Sequence, residues 1–260
     1  MSDAAAPPGA AIGFLGLRFA DLEMAGAIAW VRAAMAAERF RYVVTPNVDH
    51  VVRFHTARTE RWHDAFVVAE ETADLTLNDS RILARLADLS GLRLPVVPGS
   101  DLTRLLLDAD LPTGARIALI GGSAAEAAWL AARLPSATVV HLMPPMGVAR
   151  DVALQRSIAD FVEREAPMLT LFAIGAPQSE IVAHLIRERG LAGGVGLCIG
   201  ASMEFLTGNK RRAPRVVQRL NLEWAFRLAS EPRRLWRRYL VEGPRIFAIW
   251  TRWRCDRGGS

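Results

Sequence analysis

Six short runs of apolar residues, separated by helical patterns, restrict the fold of this chain more than any other feature of its sequence. The runs lie in RYVVTPN, ADLTLNDS, RIALIGGS, TVVHLMPPMG, MLTLFAIGAPQSE and GVGLCIGA. Strands that are continuously apolar are buried on both faces, which is typical of parallel sheets covered by helices. The sequence therefore predicts an α/β fold with a Rossmann-like, mostly parallel sheet between flanking helices.

The charge of the chain is divided unevenly along its length. Residues 209–257 contain 14 of the 32 Lys and Arg but 4 of the 27 Asp and Glu, so this part carries about +10 and the rest about −5. We therefore predict a disordered Ala/Pro-rich tail over residues 1–11, an α/β core over 12–208 and a basic, aromatic helical appendage over 209–260. The positive charge of the appendage indicates an anionic partner.

The compartment and the metal content are also constrained by the sequence. Two cysteines, Cys198 and Cys255, provide no disulfide framework and no metal-ligand spacing, and the five histidines show no metal spacing either. The N-terminus lacks the basic region of a signal peptide, and no charge-free apolar run is long enough to span a bilayer. We expect a cytoplasmic protein without a metal that, if it meets a membrane, lies on its surface.

The appendage contains a predicted amphipathic helix between Pro232 and Gly243. At 100° per residue, its basic face and its apolar face are cleanly separated. The basic face holds Arg233, Arg234, Arg237 and Arg238, and the apolar face holds Leu235, Trp236, Tyr239 and Leu240. A second apolar face follows in Ile246, Ile249, Trp250 and Trp253. We favour a lipid interface as the partner, then docking onto the α/β body, and nucleic acid last, because a strand-binding surface would interleave rings with cations.

The candidate site lies at the carboxyl ends of the strands, where ligands of open parallel sheets bind. Those ends hold Thr45, Asn47, Asp79, Gly121, Gly122, Gln178 and Glu180. Asp79 has the placement of a general base, but from the residues alone an Asx-turn or a helix N-cap is the favoured explanation. Gly121 and Gly122 suit either a phosphate or a tight turn, and a helix-dipole charge explains Glu180 as well as ligand binding does.

In this order, the pieces resemble the WecG/TagA/CpsF family of bacterial glycosyltransferases from about Gly13 to Tyr239. The resemblance is carried by TPNVDH, ND at 78–79, PGSDL, IALIGG, AIGAPQSE, IGASMEFLTGNKRRAP and LEWAFRLASEPRRLWRRYL. It implies inverting, metal-independent transfer of a hexosyl or N-acetylhexosaminyl group, without a cofactor, in cell-surface or exopolysaccharide biosynthesis. The implied donor is a UDP-sugar, and the implied acceptor is a polyprenyl-diphosphate-linked glycan at the cytoplasmic face of the membrane.

The resemblance also implies roles for individual residues. Asp79 matches the general base, and the remaining matches are substrate-binding positions. These are Thr45 and Asn47 in the pocket, Gly121, Gly122, Gln178 and Glu180 on the nucleotide-sugar side, and Arg227, Arg234 and Arg237 of an appendage that closes over a diphosphate. Glu204 is a further predicted substrate-binding residue, at a position where many members have Asp. This chain also departs from the family pattern at Ser80, where glycine is usual.

Two other classes of function stay open at this point. A non-catalytic nucleotide-binding or assembly protein would use the same fold, with Ser80 and Glu204 as signs of lost chemistry. A dinucleotide-dependent oxidoreductase is disfavoured by the incomplete glycine fingerprint. A homo-oligomer is an open alternative for the assembly of the chain, and we expect no nucleic acid partner.

Overall fold

The structure, a computed structural model, describes residues 11–109, 111–209 and 223–258, without the side chains of Glu223, Arg234 and Gly258. Of the predicted disordered tail, residues 1–10 lie outside the described part, and Ala11 is the first residue of a strand.

Eight strands and their flanking helices make up the α/β part of the described chain. The strands are β1 Ala11–Phe14, β2 Leu17–Ala20, β3 Arg41–Val44, β4 Leu75–Thr76, β5 Arg116–Gly121, β6 Thr138–Leu142, β7 Leu169–Ala173 and β8 Val195–Cys198. The helices are α1 Met24–Ala34, α2 Val48–Thr56, α3 His63–Glu71, α4 Arg81–Asp88, α5 Gly99–Asp108, α6 Ala124–Arg133, α7 Val152–Glu165, α8 Gln178–Arg189 and α9 Ser202–Leu206.

The six predicted strands form one sheet in the order β4-β3-β8-β7-β5-β6. Every neighbouring pair in this sheet is parallel. Successive residues of a strand point to opposite faces. Ile117 and Leu119 of β5 accordingly pack with α1, α5 and α6 on one face, and Ala118 and Ile120 pack with α7 and α8 on the other. The predicted α/β fold with a parallel sheet is confirmed.

The chain from residue 223 onward, which we call the C-terminal segment, is helical. It consists of α10 Glu223–Ser230, α11 Pro232–Trp236, a π-helical turn over Arg237–Glu242 and α12 Arg245–Gly258. The prediction of one α-helix from Pro232 to Gly243 is wrong beyond Trp236. The physical reason is the wider turn, in which the amide of Gly243 donates to the carbonyl of Arg238 at 2.8 Å and shifts the angular position of every later side chain.

The apolar residues of the C-terminal segment do not form one face. Leu235 is buried, whereas Trp236 and Leu240 are more than half exposed, at 51% and 55%. Two of the residues predicted for the second apolar face, Ile246 and Ile249, are buried in the α/β body. One part of the C-terminal segment thus docks onto the α/β body, which was one of the predicted alternatives, and another part keeps apolar side chains exposed.

α12 docks on an antiparallel hairpin of β1 and β2 and on helices α2 and α4. The ring of Trp253 meets that of Phe14 edge to face, with centroids 5.0 Å apart. The indole N–H of Trp250 donates to the carbonyl of Leu86 and to the hydroxyl of Ser90. These contacts make α12 part of a buried apolar cluster of the body.

None of the described helices has both the length and the apolar character that crossing a membrane requires.

Candidate active site

A pocket of about 440 Å³ lies between residues that follow β3 and β4 and residues of the C-terminal segment. Its charged lining residues are three aspartates and three arginines. These are Asp49, Asp79, Asp101, Arg81, Arg227 and Arg238. Its apolar lining residues include Val48, Val52, Ile82, Val96, Leu240, Ile246 and Phe247. A pocket with this mixed lining suits a ligand that has both a charged and an apolar part.

Asp79 is half-buried and held at the N-terminus of α5. One of its carboxylate oxygens accepts the amide of Gly99 at 3.0 Å, and its own amide donates to the carbonyl of Pro46 at 3.1 Å. The N-cap of α4 is Ser80, whose hydroxyl accepts the amide of Leu83 at 3.3 Å. Ser80 and not Asp79 therefore caps α4, whereas Asp79 lines the pocket and accepts an amide from the first turn of α5.

Thr45 and Asn47 flank Asp79 from the end of β3. The hydroxyl of Thr45 donates to the carbonyl of Cys198 and lies where a side chain on Gly99 would meet it at 3.0 Å. Asn47 lines the pocket and is the N-cap of α2, since its side chain accepts the amide of Asp49 at 3.0 Å. The capping box holds Asn47 at the N-terminus of α2, and this fixes the position of Asn47 at the pocket.

A network of one aspartate and two arginines joins α2 to the C-terminal segment. A carboxylate oxygen of Asp49 lies 3.0 Å from Nε of Arg53 and 3.4 Å from Nη2 of Arg238. Arg53 also donates to the carbonyl of Ala176 at 3.0 Å. Burial alone would raise the pKa of Asp49, but the two guanidinium groups outweigh it and lower that pKa. Asp49 is therefore charged at neutral pH.

The predicted arginines of the appendage are placed differently from one another. Arg227 lines the pocket, with its guanidinium carbon 4.9 Å from the ring centre of Phe205. Arg237 does not line it, and pairs with Glu242 at 3.2 Å on the exposed side of the π-helical turn. Its neighbour Arg238 faces the pocket instead. The side chain of Arg234 lies outside the described part of the chain.

Gly121 and Gly122 end β5 away from this pocket and are not among its lining residues. Both have positive φ, +84° and +69°. The next helix, α6, begins with a capping box in which Glu126 accepts the amide of Ser123 at 2.7 Å. A carboxylate oxygen of Glu126 lies 3.1 Å from the position of a Cβ on Gly122. The carboxylate of Glu126 thus lies beside the Gly121-Gly122 turn and caps this helix N-terminus.

Three more predicted site residues lie outside the pocket wall. Gln178 begins α8, and the side-chain amide of Gln178 donates to the backbone carbonyl of Ile174 at 3.1 Å. Glu204 lies half-buried in the first turn of α9. Glu180 is 2% exposed and its carboxylate lies 3.5 Å from Nε2 of His50. The structure thus brings Asn47, Asp79 and Arg227 to one pocket and leaves these three elsewhere.

Glu180 belongs to a buried cluster with His50 and Glu70, whose ligand atoms all lie within 4.8 Å of one another. One imidazole and two carboxylates suit a divalent cation by their chemistry. However, Nδ1 of His50 accepts the amide of Asn47 at 3.4 Å, so the proton of the neutral ring lies on Nε2, towards Glu180. A cation at Nε2 would have to break this hydrogen bond. The spacing rule for histidines missed the cluster because its members come from three helices.

The burial of the cluster favours the protonated form of Glu70. Both carboxylate oxygens of Glu70 and one of Glu180 are buried without a hydrogen-bond partner among the described residues. Burial raises the pKa of Glu70 to about 8, with a further rise from Glu180 and a decrease from His50. Burial lowers the pKa of His50, but its contact with Glu180 outweighs this and raises it.

Several pocket residues were missed by the sequence-based prediction. They are Asp49, Arg81, Ser100, Asp101, Arg238 and Tyr239. Ser100 and Asp101 lie in the PGSDL motif, which is one of the motifs that carry the family resemblance. Arg238 lay on the predicted basic face next to Arg237.

Two comparisons with known proteins bear on this site. The sequence model of the glycosyl transferase WecG/TagA/CpsF family matches residues 12–259. An N-acetylglucosaminyldiphosphoundecaprenol N-acetyl-beta-D-mannosaminyltransferase of Bacillus spizizenii (strain ATCC 23059 / NRRL B-14472 / W23) is 36% identical over 86 residues. That alignment covers 33% of this chain and 33% of the relative, so the match spans a third of the relative's length.

Proposed function

The chain belongs to the WecG/TagA/CpsF family of glycosyl transferases, and on that premise we propose that it transfers a sugar from a UDP-sugar to a polyprenyl-diphosphate-linked acceptor. The name of the Bacillus relative gives its acceptor as a diphosphoundecaprenol, which is of the same chemical class. The observation that carries the proposal is one pocket lined by Asp79, three arginines and a set of apolar side chains.

In the proposed reaction, Asp79 is the general base. Its carboxylate takes the proton of the acceptor hydroxyl while that oxygen bonds to the anomeric carbon. The bond from this carbon to the diphosphate breaks, and its electron pair leaves with the UDP. Attack opposite the leaving group inverts the configuration. The amide of Gly99 orients the carboxylate, as a general base requires.

Arginines supply the positive charge that the leaving diphosphate requires. Arg227 and Arg238 of the C-terminal segment line the pocket together with Arg81 of α4. Guanidinium groups form bidentate, charge-assisted hydrogen bonds with phosphate oxygens, which is the basis for proposing metal-independent transfer. In this proposal residues 12–208 form the catalytic core, which contributes Arg81. The appendage from 209 onward acts as the lid and contributes Arg227 and Arg238.

The apolar residues that line the pocket support a lipid-linked acceptor. Leu240 and Phe247 line the pocket and are also exposed, at 55% and 54%. Trp236 and Val241, near them in the sequence, are exposed as well. The apolar lining thus continues to the outer surface, where a prenyl chain leaving the pocket would meet the bilayer. We propose a peripheral location at the cytoplasmic face of the membrane, on anionic lipid.

The test is a donor screen with the purified full chain. A panel of UDP-sugars is incubated with a prenyl-diphosphate-linked sugar, with and without EDTA, and products are identified by mass and by the anomeric configuration in NMR spectra. We expect one donor to give an inverted product in both conditions. Failure of every UDP-sugar would refute the donor class, a retained configuration would refute inversion, and loss of transfer in EDTA would refute metal independence.

The base is tested with Asp79→Asn, which keeps the size of the side chain and removes its basicity. We expect kcat to fall by about 10²–10⁴-fold while UDP-sugar binding is retained. The matched control is Asp88→Asn on the exposed end of α4, for which kcat should not change. Near-normal turnover by Asp79→Asn would refute the assignment of the base.

A further inference from the structure

Asp49 is an acidic residue in a pocket proposed to bind anions. It lies in the first turn of α2, is 9% exposed and lines the pocket. A carboxylate at such a place repels phosphate oxygens unless it organises cations that bind them. Asp49 has two such cations, since Arg53 and Arg238 share one of its oxygens. The three groups together carry one positive charge.

The contact with Asp49 decides which part of Arg238 is left for a ligand. Nη2 of Arg238 lies 3.4 Å from the carboxylate. Its Nε is buried and has no hydrogen-bond partner within the described parts of the chain, although the residue lines the pocket. A buried N–H without a partner is costly, and an anionic oxygen bound at this wall would satisfy it. Asp49 thus fixes the guanidinium by one nitrogen and leaves another available.

The same contact holds the π-helical turn of the C-terminal segment against the core. Arg237, the preceding residue, turns outward to Glu242 and makes no such connection. Earlier in the segment, the guanidinium of Arg227 stacks over Phe205 of α9, and later α12 docks on the apolar cluster. Asp49 lies between these two attachments, where the segment passes over the pocket.

We propose that Asp49 is a positioning residue that fixes Arg238, and with it the turn 237–242, on the pocket wall so that Arg238 can bind a diphosphate oxygen of the substrates. Arg53 extends this link to the loop between β7 and α8 through the carbonyl of Ala176. The part concerning the diphosphate rests on the function proposed above. The part concerning the turn does not.

The test uses Asp49→Asn, Arg238→Gln and the double variant in the full chain. Hydrogen–deuterium exchange of residues 237–242 is measured without substrate. It should be about tenfold faster in each single variant than in the unmodified chain. The double variant should exchange no faster than the single variants, because both changes remove the same interaction. A matched control is Asp160→Asn on α7, which removes a carboxylate 2.7 Å from Arg189 of α8. This variant should leave the exchange of residues 237–242 unchanged.

Kinetics separate positioning from general stability. Asp49→Asn should raise KM about tenfold for the substrate whose diphosphate Arg238 binds. If that substrate is the acceptor, whose diphosphate keeps its charge during transfer, kcat should stay within about threefold. If it is the UDP-sugar, kcat should fall as well, because Arg238 then also stabilises the charge that develops on the leaving diphosphate. KM is measured separately for the UDP-sugar and for the lipid-linked acceptor, so that the substrate whose KM rises is the one whose diphosphate Arg238 binds. Equal exchange in Asp49→Asn and in the unmodified chain, or additive effects in the double variant, would overturn the proposal.

Failure of the two proposals can be told apart. If no UDP-sugar reacts with the unmodified chain, the proposed function fails, while the exchange measurements still decide whether Asp49 holds the turn. If transfer occurs but neither KM changes in Asp49→Asn, the positioning role fails alone. Arg238→Gln removes the contact from its other partner, so the test holds even if Asp49→Asn does not fold.

Discussion

Replacing Glu70 with Gln should flatten the pH dependence of the protein's stability. Glu70 is 2% exposed, and no described residue donates a hydrogen bond to either of its carboxylate oxygens. Its pKa is raised from 4.5 to about 8, chiefly by burial. In the unfolded chain the group ionises near 4.5, whereas in the folded chain it keeps its proton up to about pH 8. The folded protein therefore binds about one more proton between these values.

The magnitude follows from this difference in bound protons. One proton corresponds to about 1.4 kcal/mol per pH unit, so the free energy of unfolding should fall by about 3 kcal/mol between pH 5.5 and 7.5. His50, whose pKa is also raised, acts in the same direction above about pH 6.5, since its stabilising charge is lost as the pH rises. Gln at position 70 does not ionise, so the variant lacks the contribution of Glu70.

The assay is urea unfolding of the purified chain at pH 5.5, 6.5, 7.5 and 8.5. Glu70→Gln should lose less stability with rising pH than the unmodified chain and should be more stable by about 2–3 kcal/mol at pH 8.5. Glu71→Gln, on the exposed side of the same helix, is the control and should keep the original slope. Parallel pH profiles of stability for Glu70→Gln and the unmodified chain would refute the argument that Glu70 binds an extra proton in the folded state.

Two further predictions follow from packing and exposure. Gly196→Ala should destabilise the fold by about 1–3 kcal/mol in urea unfolding, because its Cβ would lie 2.6 Å from a phenyl carbon, whereas Gly13→Ala, with no atom within 4 Å, should be near neutral. Equal costs would contradict the packing argument. The double variant Leu240→Asp, Phe247→Asp should bind anionic liposomes at least about tenfold more weakly in sedimentation, and Leu191→Asp, an exposed apolar residue outside the C-terminal segment, should not. Unchanged binding by the double variant would remove this surface from the membrane contact.

The parallel sheet could be predicted from the sequence because each of its strands is apolar on both faces. The β1–β2 hairpin could not. Its strands are four residues long, and its turn places Leu15 and Gly16 at positive φ, 51° and 82°. Leucine is unusual at positive φ, so the usual turn residues gave no signal there. The burial of Leu15 against the apolar cluster compensates for this conformation.

The site could be predicted only where it follows from strand ends. Asn47 and Asp79 come directly after neighbouring parallel strands, so the topology alone brings them together. Asp49 and Arg238 meet through the approach of a distant segment, whose angular register depends on a π-helical turn. Helical stepping at 100° per residue assigned Arg237 and Arg238 to one face, and the structure separates them.

The contact between Phe14 of the hairpin and Trp253 of α12 joins two parts of the chain that the ribosome makes at very different times. At about 5–20 residues per second, the hairpin waits for tens of seconds before its covering helix exists. During that interval α2 and α4, which belong to the same apolar cluster, are already made, but the ring of Phe14 has no partner from α12. The order of translation thus sets how long this part of the cluster stays open before α12 completes it.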